Sequence, residues 1–134
     1  MAGIDRDTGK MLDGWPNVAQ KLIVLFTTRI GSRFMRRTVG SSVPGILGDN
    51  ITAATVLRFK TAIIVATELW EPRFKISIAS GVGDNSPESL RTGGLRLEVL
   101  GEYRPRGHLG DPTPDTRERR LVIGRSTNGS LESL

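Results

Sequence analysis

Residues 52–78, TAATVLRFKTAIIVATELWEPRFKISI, contain the change of periodicity that decides the fold. From Thr52 onward the apolar positions Val56, Phe59, Ile63, Ala66 and Trp70 recur at helical spacing. Thr52 has the hydroxyl of a helix N-cap, and Ile51 before it is placed to staple against Val56. Pro72 disfavours helical geometry at Glu71, so the helix ends near Trp70 and the chain turns sharply. Beyond the corner Phe74, Ile76 and Ile78 alternate with Lys75 and Ser77, the period of a strand with one wet face. Leu57, Ile64 and Val65 lie off the main helical face, which gives this helix more apolar surface than one sheet would cover.

Working outward toward the N-terminus, residues 28–50 mix glycines, Pro44 and the basic group Arg29, Arg33, Arg36 and Arg37. They read as an irregular connection with at most a short helical turn, long enough to suggest a partner surface, although a solvated basic face explains them equally well. Before it, Val18, Leu22, Leu25 and Phe26 mark another helix, opened by Gly14, Trp15 and Pro16 and apolar on more than one side because of Ile23 and Val24. Residues 1–14 form an N-terminal arm or small turn, and 15–124 the main domain. Toward the C-terminus, Leu95, Leu97, Val99 and Tyr103 alternate with Arg96, Glu98 and Glu102 and predict a second strand, antiparallel to the first across a long mobile loop, 81–94. A short last strand is expected over 120–124, then a flexible tail over 125–134. Helices first and strands afterwards indicate an α+β fold, with helices packed on one face of a small antiparallel or mixed sheet.

The 134 residues are 37% hydrophobic and 25% charged, which fits one domain with a modest core. There is no cysteine and the single histidine is His108, which excludes disulfides, thiolate metal sites, cysteine nucleophiles and any site needing two imidazoles. The net charge is +5, and of the 19 basic residues only Lys10, Lys21, Lys60 and Lys75 are lysine. Such a balance favours fixed contacts with carboxylates or phosphates over a merely solvated surface. The longest apolar run, Leu22 to Phe26, is far too short to cross a bilayer, and the N-terminus lacks the pattern of a signal peptide, so a protein made in the cytosol is expected.

Candidate chemistry is sparse. Glu68, Glu71, Glu98 and Glu102 show no spacing that singles out a catalytic pair, and Glu98 and Glu102 share a wet strand face where charges are expected anyway. His108 lies in a glycine- and proline-bearing segment with no nucleophile elbow near it. Gly81, Val82, Gly83 lack the rest of a dinucleotide fingerprint. The arginines are spread over several segments among acidic residues, with few aromatics to stack on bases, so direct nucleic-acid binding ranks behind protein contact. Neither a cofactor nor a metal site is expected. The most unusual local feature is the corner Glu71, Pro72, Arg73, where a carboxylate and a guanidinium flank a proline. They could recognise a partner in fixed geometry, or cap the helix and pair with each other.

Several of these pieces, in this order, resemble the baseplate assembly protein W family of contractile phage tails, the wedge or sheath-initiator proteins, which includes a related baseplate protein of type VI secretion systems. The resemblance rests on Gly14, Trp15, Pro16; on Thr27, Thr28, Arg29, Ile30, Gly31, Ser32, Arg33 with Met35, Arg36, Arg37 and Gly40; on Glu71, Pro72, Arg73; and on Gly101, Glu102, Tyr103. It implies a non-enzymatic virion protein, assembled in the host cytoplasm and present in several copies, six around the tail axis. It also implies a fold similar to the interlocking domain of tail sheath proteins. Its implied partners are the sheath protein, other wedge and hub proteins and the tail tube, with no membrane. Glu71, Pro72 and Arg73 would hold the corner and contact the sheath or wedge, and Arg29, Arg33, Arg36 and Arg37 would add a further protein contact. The competing expectations are a small lysozyme-like cell-wall hydrolase and a basic nucleic-acid-binding protein.

Overall fold

The computed structural model describes residues 2–81, 95–125 and 131–133. In chain order it forms β1 (Gly3–Ile4), β2 (Met11–Leu12), α1 (Trp15–Thr27), α2 (Val43–Ile46), α3 (Ala53–Trp70), β3 (Phe74–Gly81), β4 (Leu95–Tyr103), a 3-10 turn (Gly107–Leu109), β5 (Glu118–Arg125) and β6 (Leu131–Ser133). The last four strands make an antiparallel meander in the order β3-β4-β5-β6, with the helices on one face. This is the α+β layer expected from the order of helical and strand periodicity.

The helix α3 begins as its sequence dictates: the Thr52 hydroxyl accepts a hydrogen bond from the Thr55 N–H at 3.2 Å. Phe59, Ala62, Ile63 and Ala66 turn inward and meet Val18, Leu22, Leu25 and Phe26 of α1 and Phe74, Leu97, Val99, Tyr103, Leu121 and Ile123 of the sheet. Positions 97, 99 and 103 of β4 and 121 and 123 of β5 therefore supply the core, and the alternate positions between them turn to the other face, where Arg120 of β5 pairs with Glu98 of β4. The short α2 in the 28–50 connection adds Val43 to the core. No helix among the described residues is long and apolar enough to cross a membrane.

The structure departs from the periodic pattern at several points. Helical spacing puts Trp70 on the core face of α3, but it is 38% exposed; Thr67 is buried instead, its hydroxyl bonded to the Ile63 carbonyl at 2.8 Å. The inward face at this end of the helix runs through 63, 66 and 67, and position 70 overhangs the corner. Strict alternation puts Ile78 inward, yet it is 55% exposed. The register with β4 shifts between Ile76 and Ile78, leaving Ser77 as the extra residue of a bulge that turns the following side chains over. The last central strand is longer than 120–124, running from Glu118 to Arg125, because it pairs with β4 along nearly its whole length. Within the tail expected to be flexible, Leu131–Ser133 pairs with Ile123–Arg125, using backbone groups on the outer edge of β5. Residues 3–12, read as an arm or turn, form the β1–β2 hairpin against α1, where the Gln20 amide donates to the Ile4 carbonyl at 3.0 Å. The mobile loop expected over 81–94 lies, beyond Gly81, outside the described residues.

Candidate protein-interaction surface

The corner after α3 is a hydrogen-bonded turn. The Glu71 N–H donates to the Thr67 carbonyl at 2.9 Å, closing the helix, and the Phe74 N–H donates to the Glu71 carbonyl at 3.1 Å, opening β3. Two further elements brace it from the far end of β4. The Arg104 N–H donates to the Arg73 carbonyl at 2.7 Å, and Gly107 lies so close that a Cβ there would sit 2.3 Å from the Pro72 carbonyl oxygen. Only glycine permits that approach.

Within the turn the Arg73 Nε donates to Glu71 Oε1 at 2.6 Å and its Nη2 to Oε2 at 2.9 Å, a bidentate fork on a carboxylate. Glu71 is 7% exposed and Arg73 3%. Hydrogen bonding to Glu71 raises the Arg73 pKa above its ordinary value, against the opposing effect of burial, so the guanidinium stays charged. Of the two alternatives left open by the sequence, the side chains take the internal one: donor and acceptor face each other. Pro72 remains exposed at the apex.

The structure also brings together stretches far apart in sequence. Trp15, from the turn that opens α1, packs its ring 5.1 Å from Phe74 and 5.9 Å from Tyr103, centroid to centroid. The Arg119 guanidinium lies 6.0 Å from the Trp15 ring centre. Gly14-Trp15-Pro16, Glu71-Pro72-Arg73 and Gly101-Glu102-Tyr103 therefore converge beside one corner. No local sequence signal joins them, since each is an ordinary turn or strand end by itself.

The basic segment is a closed loop. The Ser41 N–H donates to the Thr28 carbonyl at 2.9 Å and the Ile30 N–H to the Ser41 carbonyl at 3.4 Å, while the Gly31 N–H reaches the Arg37 carbonyl at 2.8 Å. Gly40 closes it at φ +147°, where an added Cβ would lie 2.7 Å from the Thr28 oxygen. Arg29, Arg33, Arg36 and Arg37 are exposed, and among the described residues none of them forms an ion pair.

Two grooves flank this loop. One, of about 460 Å³, brings Arg33 and Arg36 together with Glu71, Pro72, Arg73 and His108 over apolar side chains of α1 and Val39. The other, about 510 Å³ and mostly apolar, runs between α3 and the loop and is lined by Ile30, Ile46, Leu57, Val65 and Leu69, with Arg58 as its charged residue. Trp70 borders both. Arg29 and Arg37 line neither. Leu57 and Val65 are the surplus apolar positions anticipated on α3, whereas the exposed pair Phe34 and Met35 carries no periodic signal in an irregular segment. Among the described residues no three His, Asp or Glu side chains cluster as metal ligands would.

No protein-family model matches the chain. Over 75 residues it is 32% identical to baseplate protein W of Escherichia phage P2, a match covering 56% of this chain and 65% of that relative. A chain of the post-contraction baseplate of pyocin R2 superposes with a TM-score of 0.61 at 24% identity, covering 78% of this chain and 99% of that one. A Geobacter sulfurreducens protein provisionally named a tail lysozyme gives 0.64 at 20% identity, with 84% and 91% covered. A chain of the baseplate of the anti-feeding prophage gives 0.53 at 21% identity, with 92% and 78% covered.

Proposed function

We propose that the chain, a protein of the phage baseplate W kind by its sequence match and shared fold, is a structural subunit of a contractile-tail baseplate. It connects the baseplate to the first ring of sheath subunits and starts sheath assembly, in six copies around the tail axis, after synthesis in the host cytoplasm. The observation that carries the reading is the convergence of Trp15, the Glu71–Arg73 pair and Tyr103 at a braced corner, next to a loop whose arginines form no ion pair among the described residues. Such a surface is built for fixed protein contacts.

In this reading Glu71 and Arg73 act by holding the corner rigid, so that Pro72, Arg33 and Arg36 meet a wedge or sheath neighbour in one groove, while Arg29 and Arg37 contact protein outside it. The sheet offers edges for an extended arm of a sheath chain: β3 has no partner strand on its outer side among the described residues, and β6 covers only Ile123–Arg125 of β5. Binding is the whole function. The hydrolase alternative draws on the name of the Geobacter structure. Against it, the one carboxylate lining either large groove among the described residues is Glu71, and both its oxygens are held by Arg73. Deleting the chain from its tail-producing system and viewing the particles tests the proposal. It requires loss of sheathed tails, restored by complementation, and normal sheathed tails without the chain would rule it out.

A further inference from the structure

Phe34 and Met35 are adjacent and 84% and 88% exposed, the most exposed large apolar side chains among the described residues. They sit at the tip of the loop closed by the Gly31–Arg37 hydrogen bond, and the Ser32 hydroxyl bonds to the Arg29 carbonyl at 2.7 Å behind them. Arg33, Arg36 and Arg37 flank them, exposed and without carboxylate partners among the described residues. A scattered exposed leucine needs no explanation, but an aromatic and a methionine side by side on a hydrogen-bonded loop, with exposed arginines on either side of them in the chain, have the make-up of an interface anchor. Because the loop is already closed by backbone hydrogen bonds, little ordering remains to oppose binding.

We propose that this tip is a plug: Phe34 and Met35 enter an apolar pocket on another protein of the tail, and carboxylates at that pocket's rim pair with Arg33, Arg36 and Arg37. The inference rests on the reading of the basic loop as a protein contact and adds what the partner must present. Charge and space decide against a second copy as the occupant: among the described pockets, the apolar one that carries a carboxylate, Asp49 beside Ile46, Leu47 and Val56, holds only about 10 Å³. The apolar groove along α3 could receive such a plug by volume, but its charged residue is Arg58, so docking a second copy's arginines there would oppose like charges. Nucleic acid would satisfy the guanidiniums, but it would take Phe34 and Met35 only as a wedge that unstacks a base step, a cost that an apolar protein pocket does not impose.

The test uses tails assembled with the full chain in which Phe34 is replaced by photoreactive p-benzoylphenylalanine, with the cross-linked peptides sequenced. The expected product joins residue 34 to one other tail protein, within a segment rich in apolar residues and Asp or Glu. In parallel, Phe34→Ser with Met35→Ser should weaken incorporation into tails by at least about tenfold without lowering the melting temperature of the isolated chain. Tails that contain the chain but give no cross-link, or give one to a second copy or to nucleic acid, overturn the plug and leave the baseplate reading standing. Unchanged incorporation of the double variant overturns it too, while tails that never contain the unmodified chain overturn both readings.

Discussion

Arg73→Ala should cost the fold far more than a surface arginine would. It removes both fork hydrogen bonds, at 2.6 and 2.9 Å, and leaves the Glu71 carboxylate unpaired at 7% exposure. Breaking one partner of a buried pair typically costs about 3–5 kcal/mol, because the remaining charge has lost its water and gained nothing. An unfolding entropy of roughly 2.1 cal/mol/K per residue over this chain length translates that into a fall of about 10–18 °C in Tm. Urea unfolding followed by circular dichroism checks the value, with an unchanged slope required for a two-state comparison. The double replacement Glu71→Met, Arg73→Met should recover most of the loss, since two apolar side chains of similar volume leave no orphaned charge. If Arg73→Ala shifts the stability by less than about 1 kcal/mol, the pair is not the brace described here, because surface ion pairs contribute that little.

Gly107→Ala must push its 3-10 turn off the Pro72 carbonyl, which a Cβ would approach to 2.3 Å; a loss of about 1–3 kcal/mol in urea unfolding is expected, as for other forced overpacking. Thr52→Ala removes the N-cap acceptor of α3 and should lower stability by about 1 kcal/mol in the same assay. Leu57→Gln and Leu69→Gln alter exposed positions of the apolar groove, so each should stay within about 0.5 kcal/mol of the parent protein in thermal unfolding.

The helix α3, its cap and the corner are legible in the sequence because each obeys a local rule: a hydroxyl before a periodic run, and a proline that stops it. The alternation of β4 is legible for the same reason. Ile78 escapes the alternation because a bulge is decided by pairing with β4, and residue 77 by itself carries no mark of it. The longer β5 and the added β6 depend likewise on backbone groups offered by a neighbouring strand. At the surface, Glu71 and Arg73 stand out as an unusual pair, but two orientations are open to them in the sequence. Burial by the turn at Gly107 and the end of β4 chooses the inward one. The meeting of Arg33 and Arg36 with that corner requires the 28–41 loop to close, which rests on the hydrogen bonds of Thr28 and Ile30 with Ser41 and of Gly31 with Arg37, none of them between neighbours in the sequence.

The proposed role in starting a sheath is open to direct test: the purified chain is mixed with the sheath protein and wedge proteins of its tail-producing system and the mixture is viewed by electron microscopy. Ordered rings with sheath growing from them are expected only when the chain is present. Sheath growth at the same frequency without it, or no association with either partner at any salt concentration, would rule out that role.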